Sequence, residues 1–512
     1  MALLLNFAIE ITMRNLSKSK LIAYRQCAKR LWLEVHRPEL REDSAATQTS
    51  FKVGNTVGDI ARQIYDPKGS GVLLDAQCDG FDAVFKQSEK LLDSAKPIFE
   101  AGFAVEGALA FADVMLPDKQ GGKRVWRMVE VKSSTEVKDY HRDDAAIQSF
   151  IARKAGVPLV SITLAHIDSD WVYLGKGDYR GLLKECDLTG EAFSRGDEVQ
   201  ELIAEAQSVV AKRREPKIGT GGQCSTPFAC GFFDYCQSQE PQAKYPVHWL
   251  PSIRANALRE HIAANPALDL RNTPDELLND LQQRVKRFTL SGKIYFDAAS
   301  AAEALQAYRL PAYFLDFETI QFAVPIWKGT RPYQQIPFQF SLHRLGRTGK
   351  LESKAFLDLT GNDPSRSFAE SLIAACGNSG AIFVYNAGFE GARISELAER
   401  FKKLSPSLLA IKERLVDLHP ITKANYYHPS QQGSWSIKAV LPAIAPDLNY
   451  EALEGVQNGG MAMEAYLEAI HPDTTSERKA AIKQQLLAYC GLDTFAMVRL
   501  WQFLAGRKDL EI

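Results

Sequence analysis

The C-terminal part of the chain places a carboxylate on a helix face that should otherwise be apolar. From Ile482 onward, apolar residues recur at helical spacing, and Asp493 falls within this stripe, one turn after Tyr489. A buried carboxylate without a partner costs roughly several kcal/mol. We therefore expect the chain to bind a cation at Asp493 and to supply further ligands for it elsewhere.

The segment YFLDFET, residues 313–319, supplies two such ligands. It is aromatic and apolar and is predicted to be a β-strand, in which side chains alternate between the two faces. Asp316 and Glu318 then present two carboxylates side by side. A second short apolar strand, residues 381–385, leads into Glu390. Carboxylates from two strands and one helix suit a pair of Mg²⁺ or Mn²⁺ ions, which can clamp the attacking and leaving oxygens of a phosphodiester displacement.

A single Asp-x-Glu pair is weak evidence, because surface acids often have this spacing, but the ordered set is more specific. DFET, NAGFE and YCGLD resemble, in order, the motifs of the DEDD exonucleases of the ribonuclease-H-like fold, in the subgroup with Tyr-x-x-x-Asp. The resemblance implies a 3′–5′ exonuclease in which Asp316, Glu318 and Asp493 hold metal ions. Tyr489 would orient the attacking water. Glu390 stands where the second motif usually has Asp, which leaves its role as a metal ligand open.

A second group of carboxylates lies in the N-terminal half. Residues 103–116 and 125–132 are predicted to form a β-hairpin joined by a Pro-Asp-Lys-Gln-Gly-Gly turn. Alternation places Glu130 and Lys132 on one face, with Asp113 within reach on the preceding strand. A Glu and a Lys in this arrangement can ligate a divalent metal and stabilise phosphate charge. Many surface hairpins carry Glu and Lys, so the pattern is weak by itself.

The wider pattern is more informative. The order of these residues along the chain resembles the pattern of the PD-(D/E)xK nucleases: Asp113, then Glu130 and Lys132, then Gln148. Glu100 is a candidate for the earlier acidic ligand of that pattern. The resemblance implies metal binding by the three acids and catalytic roles for Lys132 and Gln148. The Gln-x-x-x-Tyr element of these nucleases lacks its tyrosine here.

Four of the eight cysteines bracket these motifs. Three follow a Cys-x5-Cys-x5-Cys spacing and one lies in an amphipathic N-terminal segment, and such clusters in a reducing compartment indicate metal before disulfide. They are Cys27, Cys224, Cys230 and Cys236. One cysteine before the motifs and three after them resembles the iron–sulfur RecB-type branch, which includes the AddB and CRISPR-associated Cas-four nucleases. The resemblance implies a [4Fe–4S] cluster that joins the two ends of the domain, with Zn²⁺ as the alternative. The late cysteines are more widely spaced here than is usual in that branch.

Composition sets the broad class. The chain has 512 residues, 24% charged, and a formal net charge of −1, which predicts two or three globular domains and argues against wholesale electrostatic binding of nucleic acid. No apolar stretch is long enough to span a bilayer. The apolar start contains Glu10 and lacks a basic region, so no signal peptide is predicted, and Met13 is a candidate start. We expect a cytoplasmic protein with reduced thiols.

The expected fold class is α/β throughout. A PD-(D/E)xK restriction-endonuclease-like domain is predicted for residues 13–241, a helical connector for 242–304, and a ribonuclease-H-like mixed-sheet domain for 305–512. This arrangement resembles a bacterial family that fuses an iron–sulfur nuclease to a ribonuclease-H-like domain. The expected function is metal-dependent hydrolysis of phosphodiester bonds, in DNA more than RNA, at single strands or ends. The alternative is a non-catalytic nucleic-acid-binding protein with a structural metal cluster and one or both nuclease sites decayed. The sequence does not indicate protein partners.

Overall fold

The computed structural model describes residues 14–265, 268–507 and 509–510. The candidate start at Met13 lies outside the described residues. Helices and strands are mixed, as the α/β prediction requires, and the chain divides into two compact units. The first unit contains the described residues up to Pro241 together with Phe322–Tyr333, and the second contains Gln242–Gln321 and the chain from Gln334 onward. Among the described helices, none combines the length and apolar character needed to cross a membrane.

The first unit is built around a mixed sheet covered by helices. Its strands are β1 (Leu16–Ser17), β2 (Val72–Leu73), β3 (Ile98–Val105), β4 (Ala108–Gln120), β5 (Lys123–Lys132), β6 (Leu159–Ile167) and β7 (Leu183–Asp187). Its helices are α1 (Lys18–Gln26), α2 (Ala28–His36), α3 (Ala45–Tyr65), α4 (Ala76–Asp79), α5 (Phe81–Leu91), α6 (Asp139–Lys154), α7 (Thr189–Ser194), α8 (Gly196–Val210) and α9 (Phe233–Ser238).

The strands of this sheet run in the order β2-β3-β4-β5-β6-β7, with β1 paired to β4. Strands β3, β4 and β5 are antiparallel neighbours, whereas β5 and β6 are parallel and are joined through α6. The prediction of one strand over 103–116 is wrong, because the chain turns at Glu106–Gly107 and divides this stretch between β3 and β4. Gly107 has a φ of +82°, which favours glycine at the turn. The second hairpin, β4–β5, turns at Gly121–Gly122 as the sequence predicts.

The second unit contains a five-stranded sheet and a short two-stranded ladder. Its strands are β8 (Tyr295–Phe296), β9 (Ala312–Ile320), β10 (Ile336–Leu345), β11 (Leu351–Leu357), β12 (Ile382–Val384), β13 (Leu415–Asp417) and β14 (Tyr426–Tyr427). Its helices are α10 (Asn256–Ala264), α11 (Asp280–Ser291), α12 (Ala298–Gln306), α13 (Ser365–Cys376), α14 (Ala387–Arg400), α15 (Ser405–Lys412), α16 (Leu418–Asn425), α17 (Ile437–Ile444), α18 (Gly459–Ile470) and α19 (Ser476–Leu504).

The main sheet of the second unit has the order β11-β10-β9-β12-β13. Strand β10 is antiparallel to both β9 and β11, while β12 and β13 run parallel to β9. Apolar side chains on one face of β9, such as Leu315, pack with helices α13 and α14. On the other face, Phe314 packs with Trp501 of α19. Asp316 and Glu318 alternate with the first set and therefore lie on the face that α19 covers.

The predicted connector 242–304 is not a separate unit. Its apolar side chains, among them Leu258, Leu270 and Val285, are buried in the same cluster as Phe314 and Trp501. The first continuous segment of the first unit runs to Pro241, and Phe322–Tyr333 belongs to the same unit. The segment that follows contributes to the core of the second unit because its helices are amphipathic and need an apolar surface to cover.

Candidate metal sites

Strand β9 and helix α19 bring three potential ligands together in the second unit. One carboxylate oxygen each of Asp316 and Glu318 and the sulfur of Cys490 lie within 4.8 Å of one another. Glu318 is 8% exposed and Cys490 is fully buried. The thiol of Cys490 lies 3.8 Å from both the carbonyl oxygen and Oδ2 of Asp316. The Asp-x-Glu pair thus lies on one face of its strand, and the helix adds a sulfur atom.

Asp493 lies one turn further along α19 and is held by a tyrosine. The hydroxyl of Tyr450 donates to Asp493 Oδ1 at 2.6 Å. Lys438, at the start of α17, lies 4.8 Å from the ring centroids of both Tyr450 and Tyr489. Its ammonium donates to the Tyr489 hydroxyl at 3.2 Å and to the carbonyl oxygen of Gln457 at 2.7 Å. A lysine and two tyrosines therefore border the acidic group.

Glu390 lies in the first turn of α14, where the sequence places the second motif. It is 3% exposed, and its Oε2 has no hydrogen-bond partner among the described residues. Asp417 fixes this helix start, because its Oδ2 accepts from the backbone N–H of Ala387 at 3.0 Å and its Oδ1 accepts from that of His419 at 2.9 Å. One carboxylate at the end of β13 thus caps two helices and positions Glu390.

The pKa values of these acids show that their charges repel. Burial and then the charges of Asp493 and Glu318 raise the pKa of Asp316 well above its usual range, with a further contribution from Glu390. Burial and Asp493 raise the pKa of Glu318 to about 8. Burial raises that of Asp493 to about 6 and that of Glu390 to about 7. These four carboxyl groups cannot all ionise near pH 7 unless a cation balances them.

In the first unit, three acids lie on three adjacent strands. In the β3–β4 register the neighbours of Glu100 pair with the neighbours of Asp113, so these two acids lie opposite each other. Continuing the β4–β5 register by one residue places Asp113 opposite Glu130. Asp113 Oδ2 accepts from the backbone N–H of Val131 at 2.7 Å. Glu100 has a φ of +58°, so the chain locally departs from strand geometry there. The register therefore places the three predicted acids side by side on neighbouring strands, although they do not form a group of ligand atoms within 4.8 Å of one another.

Glu130 is enclosed by partners. Its side chain is 1% exposed, and Oε1 accepts from both Lys18 and Lys132 at 2.7 Å. Gln148 donates from Nε2 to Glu130 Oε2 at 2.5 Å, while its own Oε1 is buried without a partner. Asp144, one turn before Gln148 on α6, lies 2.6 Å from the Lys132 ammonium. Lys132 and Gln148 therefore contact Glu130 directly, as a shared site requires.

The charges in this site largely compensate one another. Burial alone would raise the pKa of Glu130, but Lys132 and Lys18 outweigh it and lower that pKa to about 2. Burial lowers the pKa of Lys132, but the charges of Glu130, Asp144 and Asp113 outweigh this effect and raise that pKa well above its usual value. Burial and the Glu130 charge raise the pKa of Asp113 well above its ordinary range. The two lysines already act as internal cations for Glu130.

The four bracketing cysteines line one small pocket in the first unit, namely Cys27, Cys224, Cys230 and Cys236. Gln26, beside Cys27, donates from Nε2 to the carbonyl oxygens of Gln223 at 2.6 Å and Phe228 at 2.7 Å. Burial, together with the other three cysteines and against the opposing charge of Lys29, raises the pKa of Cys236 to about 11. Among the described cysteines, no three sulfur atoms lie within 4.8 Å of one another. The sequence-distant ends of the unit thus meet at the cysteines.

The donor sets fit the groups that the sequence predicts. In the second unit the acids themselves offer the oxygen ligands. The unpaired Oε2 of Glu390 and the repulsion that raises the pKa of Asp316 favour a bound cation. In the first unit, Asp113 and Glu130 also offer oxygen, although lysines contact Glu130. Four thiols in one pocket suit a thiolate-bound metal or cluster.

Five residues at these sites were not predicted from the sequence: Lys18, Asp144, Lys438, Tyr450 and Cys490. Lys18 lies in a basic stretch of sequence that is typical of a solvated surface, and a cysteine on an apolar helix face, such as Cys490, is most often a small buried hydrophobe. A signal existed for Cys490, because it lies between Tyr489 and Asp493 on the same helix face. Lys18 and Tyr450 reach their partners across more than forty residues of chain, and short-range spacing does not reveal such contacts.

A comparison with protein families matches a segment in the C-terminal half of the chain, most of it in the second unit. A family model described as a domain of unknown function (DUF2779) matches residues 313–436, which is less than half of the chain. The matched segment includes Asp316, Glu318 and Glu390 and ends before Tyr489 and Asp493. No curated protein matches the chain.

Proposed function

We propose that the protein is a metal-dependent nuclease that hydrolyses phosphodiester bonds of DNA, at single strands or ends. The observation that carries this proposal is the proximity of Asp316 and Glu318 on β9 to Cys490 on α19. Asp493, one turn further along α19, and Glu390, at the start of α14, lie near enough for their charges to raise the pKa of Asp316. The strand order of that sheet, with a single antiparallel strand next to β9, resembles the ribonuclease-H-like fold. We therefore assign the second unit the role of a DEDD-type 3′–5′ exonuclease.

The residues of this site can perform the required steps. Asp316, Glu318 and Asp493 would hold Mg²⁺ or Mn²⁺, and Glu390 would bind directly or through water. Such ions supply a stabilising charge for the attacking and leaving oxygens. Tyr489 would orient the attacking water through its hydroxyl, and Lys438 holds that hydroxyl at 3.2 Å. Lys438 therefore positions Tyr489 and places a positive charge near the developing charge on phosphate.

We also propose that the first unit is an iron–sulfur nuclease of the PD-(D/E)xK type. The α6 crossover between β5 and β6, with Asp113 within β4 and Glu130 near the end of β5, resembles the fold of these nucleases. Glu100, Asp113 and Glu130 would bind a divalent cation. Lys132 would release its contact with Glu130 as the cation binds and would then stabilise the phosphate charge. Gln148 holds Glu130 from the opposite side.

For the cysteine pocket we propose a [4Fe–4S] cluster rather than Zn²⁺. A tetrahedral zinc ion with bonds of about 2.3 Å requires thiolates about 3.8 Å apart. A cubane binds each thiolate at a different iron and so spaces them more widely. No three of the described cysteine sulfurs lie within 4.8 Å of one another, which agrees better with the wider spacing of a cubane. The cluster would join α1 and α2 to the segment that ends the unit.

One observation favours the alternative, a first unit that binds nucleic acid without cutting it. Lys18 and Lys132 both donate to Glu130 Oε1, so a cation must displace ammonium groups before it can use that oxygen. If the displacement does not occur, the first site is inactive and cleavage depends on the second unit alone.

The test is a cleavage assay on single-stranded DNA and RNA labelled at either end, with Mg²⁺ or Mn²⁺ and anaerobically purified protein. Wild type is compared with Asp316→Asn, Lys132→Ala and the double variant. Matched controls are Glu399→Gln, an exposed acid on α14, and Lys123→Ala, an exposed lysine at the other end of β5. We expect the controls to retain cleavage and the double variant to lose it. Cleavage by the double variant would refute the assignment, and wild type that binds DNA without cutting it would favour the alternative.

A further inference from the structure

The thiol of Cys490 lies inside the carboxylate group of the second unit. It is fully buried, and its sulfur lies within 4.8 Å of one oxygen each of Asp316 and Glu318. The sulfur is 3.8 Å from Asp316 Oδ2. A tetrahedral ion with a metal–sulfur bond of about 2.3 Å and a metal–oxygen bond of about 2.1 Å holds these atoms about 3.6 Å apart. The observed separation is thus close to that of two ligands on one ion.

Packing alone would account for a buried cysteine, and Cys376 provides such a case. Cys376 ends α13, is also fully buried, and lies in an apolar cluster with Leu372 and Phe368. Cys490 instead faces acids. A second observation indicates a ligand, because Glu390 is 3% exposed, has an unpartnered Oε2, and lies close enough to raise the pKa of Asp316. Glu390 therefore adds a buried oxygen without a partner in the neighbourhood of Asp316.

We infer that Cys490 Sγ is a metal ligand alongside Asp316 and Glu318, and that the second unit's site prefers thiophilic divalent cations such as Co²⁺, Zn²⁺ or Cd²⁺ over Mg²⁺. This inference rests on the proposed metal site and concerns which ions bind there most tightly; Mg²⁺ and Mn²⁺ remain ions that the same acids can hold. Thiolate ligands favour these softer ions, whereas Mg²⁺ prefers oxygen alone. As the sulfur–metal bond forms, the sulfur–hydrogen bond breaks and its proton passes to the buffer.

The experiment uses the full chain and Co²⁺, whose bond to a thiolate produces a charge-transfer absorption band in the near ultraviolet. Wild type, Cys490→Ser, Cys376→Ser and Asp316→Asn are titrated with Co²⁺ after removal of divalent ions. Serine is close to cysteine in size, so the fold should tolerate both substitutions, and circular dichroism verifies this. Difference spectra between variants cancel the contribution of the four cysteines in the first unit.

We expect wild type and Cys376→Ser to show the same band, and Cys490→Ser and Asp316→Asn to lack its Cys490-dependent part. Cys490→Ser should also weaken binding of Co²⁺ more than binding of Mg²⁺. If Co²⁺ binds in an Asp316-dependent way without any difference between wild type and Cys490→Ser, the inference is wrong and the metal site stands. If Asp316→Asn changes neither Co²⁺ nor Mg²⁺ binding, the metal site itself is wrong. Should Cys490→Ser fail to fold, the comparison of wild type with Asp316→Asn still decides, because a coordinated Cys490 requires a band that depends on Asp316.

Discussion

Replacing Glu318 by Gln should stabilise the metal-free protein while abolishing the cleavage assigned to the second unit. Glu318 is 8% exposed, and burial together with the Asp493 charge raises its pKa from about 4.5 to about 8. Because this pKa is higher in the folded chain than in the unfolded chain, folding is favoured at low pH. The resulting stability is lost as the pH rises from about 4.5 to about 8.

The size of the effect follows from the two pKa values. A tenfold change in an equilibrium constant corresponds to about 1.4 kcal/mol. At pH 7 the unfolded carboxyl is ionised and the folded one is largely protonated, which gives a folding penalty of about 3 kcal/mol, and at pH 5 it falls to about 1 kcal/mol. A glutamine removes this penalty but leaves a buried amide whose hydrogen bonds are incomplete, which costs about 1–2 kcal/mol. We therefore expect a net gain of about 1–2 kcal/mol at pH 7, and little or none at pH 5.

The assay is urea unfolding of wild type and Glu318→Gln with a chelator present, at pH 5, 6 and 7. Glu399→Gln, an exposed position on α14, serves as the control and should change stability little at any pH. Adding Mn²⁺ should then stabilise wild type more than Glu318→Gln, because the ion relieves the same repulsion. A Glu318→Gln variant that is less stable than wild type at pH 7, or whose gain does not depend on pH, would refute the electrostatic reasoning.

Three further predictions concern the supporting residues. Asp417→Ala removes the cap of two helices and should lower the free energy of unfolding by about 1–2 kcal/mol in chemical denaturation. It should also lower cleavage, because Glu390 loses its fixed position. Unchanged cleavage would show that Glu390 is dispensable. Lys18→Met leaves Glu130 with one lysine and should destabilise the protein by about 1–3 kcal/mol at pH 7. Because the pKa of Glu130 lies at about 2 instead of 4.5, its stabilisation is present above about pH 4.5 and lost as the pH falls towards 2, and Lys18→Met should reduce this acid-dependent loss in pH-dependent unfolding. Cys230→Ser should lower the iron bound per chain after anaerobic purification, and full retention of iron would exclude Cys230 as a ligand.

Local periodicity was sufficient to place together the candidate ligands that lie on single elements of the second unit. Alternation along β9 places Asp316 and Glu318 together, and helical spacing places Tyr489 and Asp493 on one face of α19. The same spacing also places Cys490 on this face, but a buried cysteine is most often a core residue, so spacing alone does not identify it as a ligand. Position on a helix face thus predicts burial, but the neighbours that give a buried group its chemistry come from other elements.

Residues that arrive from distant segments could not be predicted this way. Lys18 reaches Glu130 from the start of α1, and Asp144 reaches Lys132 from α6. Both are ordinary charged residues in polar stretches of sequence. The connector shows the same limit at the level of domains. Residues 242–304 are predicted as a helical connector, but one side of its helices carries the apolar residues that complete the core of the second unit.

The two candidate sites balance buried carboxylates in opposite ways, and this difference bears on what each can do with a cation. In the first unit, two ammonium groups at 2.7 Å keep Glu130 ionised, with a pKa of about 2. In the second unit, Lys438 acts at longer range, and the pKa values of Glu318 and Asp493 stay at about 8 and about 6. A divalent cation entering the second site relieves repulsion, whereas one entering the first must compete with bonds already made. The second unit's acids therefore gain more from a metal ion, while the first unit's lysines can hold its site together before any ion binds.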